Sequence, residues 1–299
     1  MSLKFAIYTC QPIPTKTPSP DVSSKDSGLW SPLSITLFWT PTSALLVDCP
    51  ATVNPTHELA QWIKSELPMG STLKYFICTH AHGDHFLGLP ILEEHFPGLK
   101  AYATKTVAEG IDQQQSPEIR DAVWANTFAT SKDGSGLPSV GSDFQALPSS
   151  NEFNLDDHLL KLYDVPHGDT HANSFIHAPE LDLVVAGDIV YNEDCHQWLG
   201  EASNAEKRGK WLAAIEQIGA MKPKIIIPGH TFNPLSTPDE NLAAGMLRST
   251  ANYITGFEEE LAVATTEQNL FDRMRSRYDR RNLYLLVGSS KAAWDNKAL

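Results

Sequence analysis

The sequence predicts an α/β protein built as a four-layer αββα sandwich. Strand-like runs of β-branched and aromatic residues fall into two groups along the chain, and helical patterns lie between them. Continuous apolar runs such as 33–40 and 44–49 are typical of strands buried on both faces. A strand-rich half followed by a second strand-rich half indicates two sheets packed face to face, with helices on their outer sides.

Hydrophobic periodicity gives the individual elements. The predicted strands cover 3–9, 33–40, 44–49, 74–79, 99–103, 159–165, 173–178, 183–187 and 224–228. The predicted helices cover about 54–67, 85–95, 204–221, 239–264 and 265–278. The first of these helices begins at Asn54-Pro55, where proline suits the first helical turn. Residues 131–151 are rich in Ser, Gly and Pro, which predicts a long surface loop.

Length and composition fit one large domain or two small ones, and we expect a single domain over residues 1–299 with a helical C-terminal part at about 239–299. The net charge of −13 argues against a nucleic-acid partner, because phosphate backbones select a basic face. No apolar run approaches the roughly 20 residues of a membrane helix. Four scattered cysteines without a CxxC spacing fit reduced thiols, so we expect a cytoplasmic protein. The sequence leaves the oligomeric state open.

The segment 79–85, Thr-His-Ala-His-Gly-Asp-His, is the strongest chemical signal in the chain. It follows the predicted strand 74–79 directly, so its side chains arrive together at one strand end. Imidazole and carboxylate groups are the ligands that zinc prefers. His80 and His82 are two residues apart and can share one metal, whereas Asp84 and His85 leave the turn on another side. A second metal nearby is therefore expected.

Three later strand ends present further histidine or aspartate side chains. His167 follows the strand 159–165, Asp188 follows 183–187, and His230 follows 224–228. His171 competes with His167 as a ligand, but His167 lies immediately after its strand and is preferred. Together with segment 79–85, these strand ends predict one composite metal site.

The HxHxDH pattern and the three later positions, taken in order, resemble the metallo-β-lactamase superfamily over about residues 33–235. This resemblance implies an αββα fold and a two-zinc site, and manganese, iron or cobalt also suit such ligands. It further implies that Asp48, at the end of strand 44–49, supports the metal-binding loop from behind. The implied ligands are His80, His82 and His167 for the first metal, Asp84, His85 and His230 for the second, and Asp188 as the bridge.

Two close divalent ions lower the pKa of a shared water molecule, and the resulting hydroxide attacks a carbonyl carbon without a protein nucleophile. The resemblance implies that Asp84 passes a proton to the leaving group. Lactonases of the family place a tyrosine three residues after the bridging aspartate, and Tyr191 fits that offset. The stretch 191–200 is predicted to be an active-site loop, in which His196 and Trp198 line the pocket and His196 is a candidate proton donor.

The leading hypothesis is hydrolysis of a small cyclic ester or amide, a lactone or lactam of xenobiotic or signalling origin. The alternative is a glyoxalase II-like thioester hydrolase or an iron-dependent persulfide dioxygenase. Glutathione-binding versions need basic residues in the C-terminal part, where Arg273, Arg275, Arg277, Arg280 and Arg281 cluster. Net charge disfavours a nuclease. A non-catalytic binding module is disfavoured because all seven ligand positions are filled.

Overall fold

Two β-sheets pack face to face, and helices cover the outer side of each sheet. This description comes from a computed structural model, which describes residues 2–16, 28–128, 136–235 and 240–297. The first half of the chain forms one sheet with its helices, and the second half forms the other. The layer order is therefore helices, sheet, sheet, helices, which is the architecture that the sequence predicts.

The first sheet has the strand order β1–β4–β5–β6–β7–β8. Neighbours β1, β4 and β5 run antiparallel, and β5 to β8 run parallel. A separate short ribbon pairs β2 with β3. These strands are β1 (Lys4–Cys10), β2 (Ile13–Pro14), β3 (Leu29–Trp30), β4 (Leu33–Trp39), β5 (Ala44–Val47), β6 (Leu73–Ile77), β7 (Lys100–Ala103) and β8 (Phe144–Ala146).

The second sheet has the order β13–β12–β11–β10–β9. Strands β9 to β12 are antiparallel neighbours, and β12 and β13 run parallel. Strand β10 therefore points in the same direction as β12 and β13. The strands are β9 (Glu152–Leu155), β10 (His158–Val165), β11 (Asn173–Ala178), β12 (Leu183–Gly187) and β13 (Ile225–Pro228).

The helices divide between the two outer layers. The first sheet carries α1 to α5 together with a π-helical turn at Arg120–Trp124, and the second sheet carries α6 to α9. The helices are α1 (Val53–Glu66), α2 (Leu89–His95), α3 (Lys105–Gln114), α4 (Pro117–Ile119), α5 (Ala125–Thr127), α6 (Ala205–Ala220), α7 (Glu240–Val263), α8 (Glu267–Arg277) and α9 (Leu283–Asp295). Within the described ranges, no helix combines the length and apolar character that crossing a bilayer requires.

Three apolar clusters hold the layers together. Phe38 and Val47 of the first sheet meet Leu162 and Val185 of the second in the cluster between the sheets. A second cluster joins the first sheet to its helices, and a third, built around Trp211, joins the second sheet to α6–α9. Burial of apolar area at about 25 cal/mol per Å² is the main favourable contribution to such packing.

Several elements differ from the sequence prediction. The predicted loop 131–151 contains the edge strand β8, which at three residues is too short to show an alternating pattern; residues 131–135 lie outside the described ranges. The predicted helix 85–95 begins only at Leu89, with Pro90 in its first turn, after a 3₁₀ turn at Gly83–His85. The sequence does not resolve helix α9 from the rest of the helical C-terminal part. Tyr284 to Val287 form a continuous apolar run, which lacks the spacing typical of a helix.

The topology brings five strand ends to one edge of the sandwich. Strands β5 and β6 of the first sheet, and β10, β12 and β13 of the second, all end there. Backbone bridges between Leu33 and His230, and between His80 and Asn173, join the loops of the two sheets at this edge. Side chains that follow these strands therefore converge on one place, which is a common location for ligand sites in α/β folds.

Candidate metal centre

Seven histidine and aspartate side chains converge at this edge. Their candidate ligand atoms form three groups, within each of which the atoms lie within 4.8 Å of one another. His80 and His85 each belong to two groups, so the three groups make one continuous site. The groups are His80, His82 and Asp169; His80, His85 and Asp188; and Asp84, His85 and His230.

Asp48 and Thr79 orient the two central imidazoles. Asp48 accepts hydrogen bonds from the backbone N–H and the hydroxyl of Thr79, both at 2.8 Å, and from Nδ1 of His85 at 2.9 Å. Because the Thr79 hydroxyl donates its proton to Asp48, its oxygen accepts a hydrogen bond from Nδ1 of His80 at 3.0 Å. Nε2 of both histidines therefore carries a free lone pair that faces the site.

The other two imidazoles are oriented in the same way from outside the site. Nδ1 of His230 donates to the carbonyl oxygen of Pro32 at 2.9 Å, which leaves Nε2 as the free nitrogen. Nε2 of His82 contacts Oε1 of Glu201 at 2.7 Å, and Oε2 of Glu201 accepts from the hydroxyl of Thr170 at 2.6 Å. Glu201 therefore fixes His82 with Nδ1 directed towards Asp169.

Each carboxylate of the site is also held in place. Asp84 Oδ2 accepts from the indole N–H of Trp30 at 2.8 Å, and Asp188 Oδ2 accepts from the Tyr191 hydroxyl at 2.5 Å. Asp169 Oδ1 accepts from the side-chain amide of Asn173 at 2.6 Å. Such partners limit rotation of the carboxylates and leave their remaining oxygen positions for a ligand.

Burial and charge act together on the titration of these groups. Burial lowers the pKa of His230, but the carboxylates of Asp188 and Asp84 outweigh burial and raise it to about 10. Burial raises the pKa of Asp169 to about 6, against the opposing effect of His82. For His80, burial and the neighbouring His85 lower the pKa well below its ordinary value. The site therefore combines neutral and charged imidazoles when no cation is present.

Unpartnered buried atoms show that the site fits a bound cation. Among the described residues, Nε2 of His80, Nε2 of His85 and Oδ1 of Asp188 are buried without a hydrogen-bond partner. Leaving such atoms unsatisfied in a protein interior is unfavourable. All three belong to the three donor groups, so divalent cations at their centres would satisfy them together.

His167 does not join the donor groups, and this corrects the expectation for the first metal. Nδ1 of His167 donates to the neighbouring carbonyl oxygen of Gly168 at 2.7 Å. Asp169 occupies the predicted position instead, with Oδ2 at 2.8 Å from Nδ1 of His82 and 3.6 Å from Nε2 of His80. The loop after β10 reaches the site only four residues past the end of the strand. Asp169 therefore enters the site, and His167, two residues past the strand, does not. The competing His171 is exposed.

The expected pocket residues separate into two groups. Tyr191 and Trp198 line the cavity above the donor groups, and Tyr191 is almost fully buried. His196 does not line that cavity, which corrects the expectation that it is a pocket residue or proton donor. Its imidazole is fully buried against Tyr253, with Nδ1 at 2.8 Å from the tyrosine hydroxyl. The backbone N–H of His196 donates to the carbonyl oxygen of Arg281 at 3.0 Å, so the backbone here is also tied to the segment before α9.

Three residues of the site were missed from the sequence. Asp169 had a local signal, since it is an acidic residue in the same strand-end loop as His167. Trp30 and Glu201 had none, because their contacts with Asp84 and His82 span 54 and 119 residues. Only the tertiary structure brings these side chains to the site.

A cavity of about 530 Å³ opens directly above the donor groups. His82, Asp84, Asp169, Asp188 and His230 form its floor. Aromatic and aliphatic side chains from the 117–128 segment and from α9 form its walls. The volume lies in the range of cavities that bind small molecules.

Comparison with known proteins agrees with this description. The family model of the metallo-beta-lactamase superfamily matches residues 29–230. None of the curated proteins matches the sequence. Among solved structures, a metallo-beta-lactamase family protein from Thermus thermophilus superposes with a TM-score of 0.66 at 15% identity, covering 98% of this chain and 93% of that one.

Two further solved structures are similar at comparable distances. A metallo-beta-lactamase from Pontibacter korlensis has a TM-score of 0.55 and 19% identity, covering 85% of this chain and 96% of that one. The metallo-beta-lactamase FIM-1 from Pseudomonas aeruginosa, in a mono-zinc form, has a TM-score of 0.52 and 17% identity, covering 85% and 91%. At these identities the likeness concerns the fold. The match over residues 29–230, together with the fold and the His- and Asp-rich site, shows that this chain belongs to the metallo-beta-lactamase superfamily.

Proposed function

We propose that this protein is a two-metal hydrolase that opens a small cyclic ester or amide. The observation that carries the proposal is the set of three overlapping donor groups, five of whose seven residues form the floor of an open cavity. Zinc is the proposed metal, because imidazole and carboxylate ligands suit it, and manganese, iron or cobalt are the alternatives. The proposed ligands are His80, His82 and Asp169 for one ion, Asp84, His85 and His230 for the other, and Asp188 between them.

The chemistry follows from the placement of these groups. Divalent ions bound there would lower the pKa of a water molecule towards neutrality and polarise a carbonyl oxygen. Asp84 lies on the cavity floor with one oxygen held by Trp30, and we assign to it the proton transfer to the leaving atom. The Tyr191 hydroxyl donates its hydrogen bond to Asp188, so we assign to Tyr191 the positioning of that carboxylate. A direct contact between Tyr191 and the substrate carbonyl stays a prediction.

The thioester alternative draws no support from the C-terminal arginines. Arg273 and Arg277 pair with Glu260 on α7, with nitrogen–oxygen distances of 2.6 and 3.1 Å. Arg280 packs against the ring of Tyr253, and its guanidinium donates to the carbonyl oxygen of Cys195. None of the five arginines of that cluster lines the described cavity. A small-molecule substrate, in a protein of net charge −13, remains the proposed partner rather than a nucleic acid.

The ligand set is tested by metal analysis of paired variants. We expect the purified protein to hold about two ions per chain, and Asp169→Ala to lose about one of them. His167→Ala is the matched control, because it removes a histidine from the same loop and should keep the full metal content. Loss of metal in His167→Ala but not in Asp169→Ala would contradict the assignment.

The reaction class is tested on the metal-loaded protein with a panel of lactones, lactams and S-lactoylglutathione. Ring opening is expected for at least one cyclic ester or amide, and none for the thioester. Absence of turnover on every ring, with two ions bound, would reject the hydrolase proposal. Preferential thioester cleavage, or iron as the bound metal with persulfide oxidation, would select the alternative.

A further inference from the structure

Four large aromatic side chains surround the upper part of the cavity. They are Trp30, Trp124, Trp198 and Tyr284. Trp30 is the central ring: its centroid lies 5.1 Å from that of Tyr284 and 6.0 Å from that of Trp124. Ring pairs at these separations are favourable and hold one another in place. Trp30, Trp124 and Tyr284 are therefore a packed aromatic cluster in the cavity wall, and Trp198 adds a fourth ring to the lining.

The polar groups of three of these rings are already hydrogen-bonded within the protein. The indole N–H of Trp30 donates to Asp84, and that of Trp124 donates to the side-chain oxygen of Gln114 at 2.7 Å. The Tyr284 hydroxyl pairs with the Ser31 hydroxyl at 2.6 Å. Because their hydrogen-bonding groups are satisfied within the protein, these three rings offer the cavity apolar surface rather than donors.

Trp198 is fixed by two glycines that leave room for its ring. A Cβ atom at Gly200 would lie 2.2 Å from the indole, and one at Gly288 would lie 2.5 Å from it. Any larger residue at either position would displace the ring. The wall contributed by Trp198 is thus set before a ligand binds, which reduces the ordering cost of binding.

Apart from the imidazoles of His82 and His230, the charged side chains that line the cavity are carboxylates. Asp84, Asp169, Asp188 and Glu201 contribute them near the floor, and among the residues that the structure describes no lysine or arginine lines the cavity. The imidazoles present belong to the proposed metal ligands. Above the proposed metal ions at the floor, an anionic group on a ligand would therefore meet aromatic rings, with no lysine or arginine of the described residues to pair with it.

We propose that the cavity selects an uncharged substrate with an aromatic ring fused or attached to the hydrolysed ester or amide. This inference rests on the proposed hydrolase function and specifies its substrate class. The carbonyl group lies at the metal floor, and the aromatic ring lies among Trp30, Trp124 and Trp198. Carboxylated substrates, such as penicillins and glutathione thioesters, are disfavoured because no lysine or arginine of the described residues stands in the walls above the floor.

The first test compares three matched lactones on the metal-loaded protein. They are isochroman-3-one, the same compound with a ring carboxylate, and δ-valerolactone, which lacks the fused aromatic ring; all three are six-membered lactones that release an alcohol rather than a phenol. We expect kcat/KM for isochroman-3-one to exceed that for δ-valerolactone on the order of tenfold, and that for the carboxylated analogue on the order of a hundredfold. Equal values for the three lactones would overturn the proposal.

Variants assign the selectivity to the walls. Trp198→Leu and Trp124→Leu are expected to lower the ratio of aromatic to aliphatic kcat/KM on the order of tenfold. Trp62→Leu is the control, because Trp62 packs against Tyr8 on the far side of the first sheet. An unchanged ratio in both wall variants would contradict the assignment, and two variants from different segments guard against a folding defect in one of them.

A gain-of-charge pair tests the missing cation directly. Val123 lines the cavity and is 47% exposed, so Val123→Lys can place an ammonium group at the wall without burying it. Val140 is 62% exposed and is not among the lining residues, so Val140→Lys is the matched control for net charge. Val123→Lys is expected to raise kcat/KM for the carboxylated lactone on the order of tenfold, and Val140→Lys is not. An equal response of both variants would count against the proposal.

Binding separates this inference from the hydrolase proposal. Calorimetry with α-tetralone, an uncharged bicyclic ketone that cannot be hydrolysed, should detect binding to the metal-loaded protein, with weaker binding to Trp198→Leu. Binding without turnover of any lactone would reject the hydrolase proposal and keep the aromatic cavity. Turnover without ketone binding, and without discrimination among the lactones, would keep the hydrolase proposal and reject the aromatic substrate class.

Discussion

Gly229 leaves space for the carboxylate at the centre of the site. A Cβ atom at this position would lie 1.8 Å from Oδ1 of Asp188 and 2.9 Å from the carbonyl carbon of Gly187. Both distances are far below van der Waals contact, so a side chain here must displace Asp188. The absence of a side chain at Gly229 is therefore required for Asp188 to occupy its proposed position between the two ions.

Gly229→Ala is expected to lower the metal content by at least one ion per chain and to abolish hydrolysis. Gly209→Ala is the control, because a Cβ atom at Gly209 in α6 meets no atom within 4 Å. That change should keep the metal and raise the free energy of unfolding by up to about 1 kcal/mol. Metal analysis and urea unfolding measure the two effects. Full metal content in Gly229→Ala would contradict the placement of Asp188.

His196 is a buried imidazole outside the cavity, and its titration affects stability rather than chemistry. Burial, aided by the positive charge of Arg280, lowers the pKa of His196 to about 3. An imidazole in the unfolded chain has a pKa of about 6.5. Between these two values the unfolded state binds a proton that the folded state does not. The free energy of unfolding therefore falls as the pH falls through this window.

This contribution amounts to at most about 1.4 kcal/mol per pH unit below pH 6.5. His196→Gln keeps a hydrogen-bonding side chain beside Tyr253 but removes the titration, so its unfolding free energy should decline less steeply from pH 6.5 to pH 4. Urea unfolding at several pH values checks the slopes. Identical slopes for wild type and His196→Gln would rule out this role.

At the scale of elements, the beginning of α9 places one wall of the cavity. Asn282 precedes the helix with φ 63°, a left-handed conformation that asparagine adopts more readily than most residues. Its side-chain amide donates to the hydroxyl of Ser31 at 2.6 Å. The backbone N–H of Ser31 donates in turn to the hydroxyl of Tyr284 at 3.0 Å. The turn before α9 thus fixes Tyr284 against the ribbon β2–β3.

The elements that carry the metal ligands were predictable, and the elements that shape the cavity were not. Strands such as β11 and β12 are continuous apolar runs, so their bounds follow from composition alone. The π-helical turn Arg120–Trp124 and the apolar beginning of α9 lack a periodic pattern. Their conformations depend on packing against Trp30, which lies far away in the sequence. Local patterns therefore predict the floor of the site better than its walls.

The same distinction applies to the ligand loops. His80, His82, Asp84 and His85 are adjacent in sequence, so one pattern predicts them together. In the loop after β10, the choice between His167 and Asp169 depends on the path of the backbone. Gly168 N–H donates to the carbonyl oxygen of Thr170 at 2.9 Å, and the resulting turn delivers Asp169 to the site. A carboxylate in a predicted histidine position is thus a tertiary effect.

At the scale of the whole molecule, the site joins the two halves of the sandwich. The loop after β6 in the first sheet supplies four of the donor residues, and the loops after β10, β12 and β13 in the second sheet supply the other three. Ions held by both sets would connect the sheets at the edge where their loops already share backbone bridges. Ligands that bind only the folded state stabilise it by mass action.

Metal removal should therefore lower the stability of the whole fold rather than of one loop. At free zinc one hundred times the dissociation constant, the expected stabilisation is about 2.7 kcal/mol. Calorimetric melting before and after chelation, and after zinc is restored, measures it. His82→Ala should show a smaller shift, whereas His167→Ala should behave like the wild type. A melting temperature that does not respond to chelation would contradict a structural contribution of the ions.

The four cysteines have a practical consequence for studies of this protein. All four are buried, and burial raises the pKa of each thiol, to about 12 for Cys10. Thiolate is the reactive form, so alkylating reagents should leave the native thiols unmodified. Met69, in the loop between α1 and β6, is fully exposed. A cysteine introduced by Met69→Cys would accept a fluorophore or spin label at one defined position without removal of any natural cysteine.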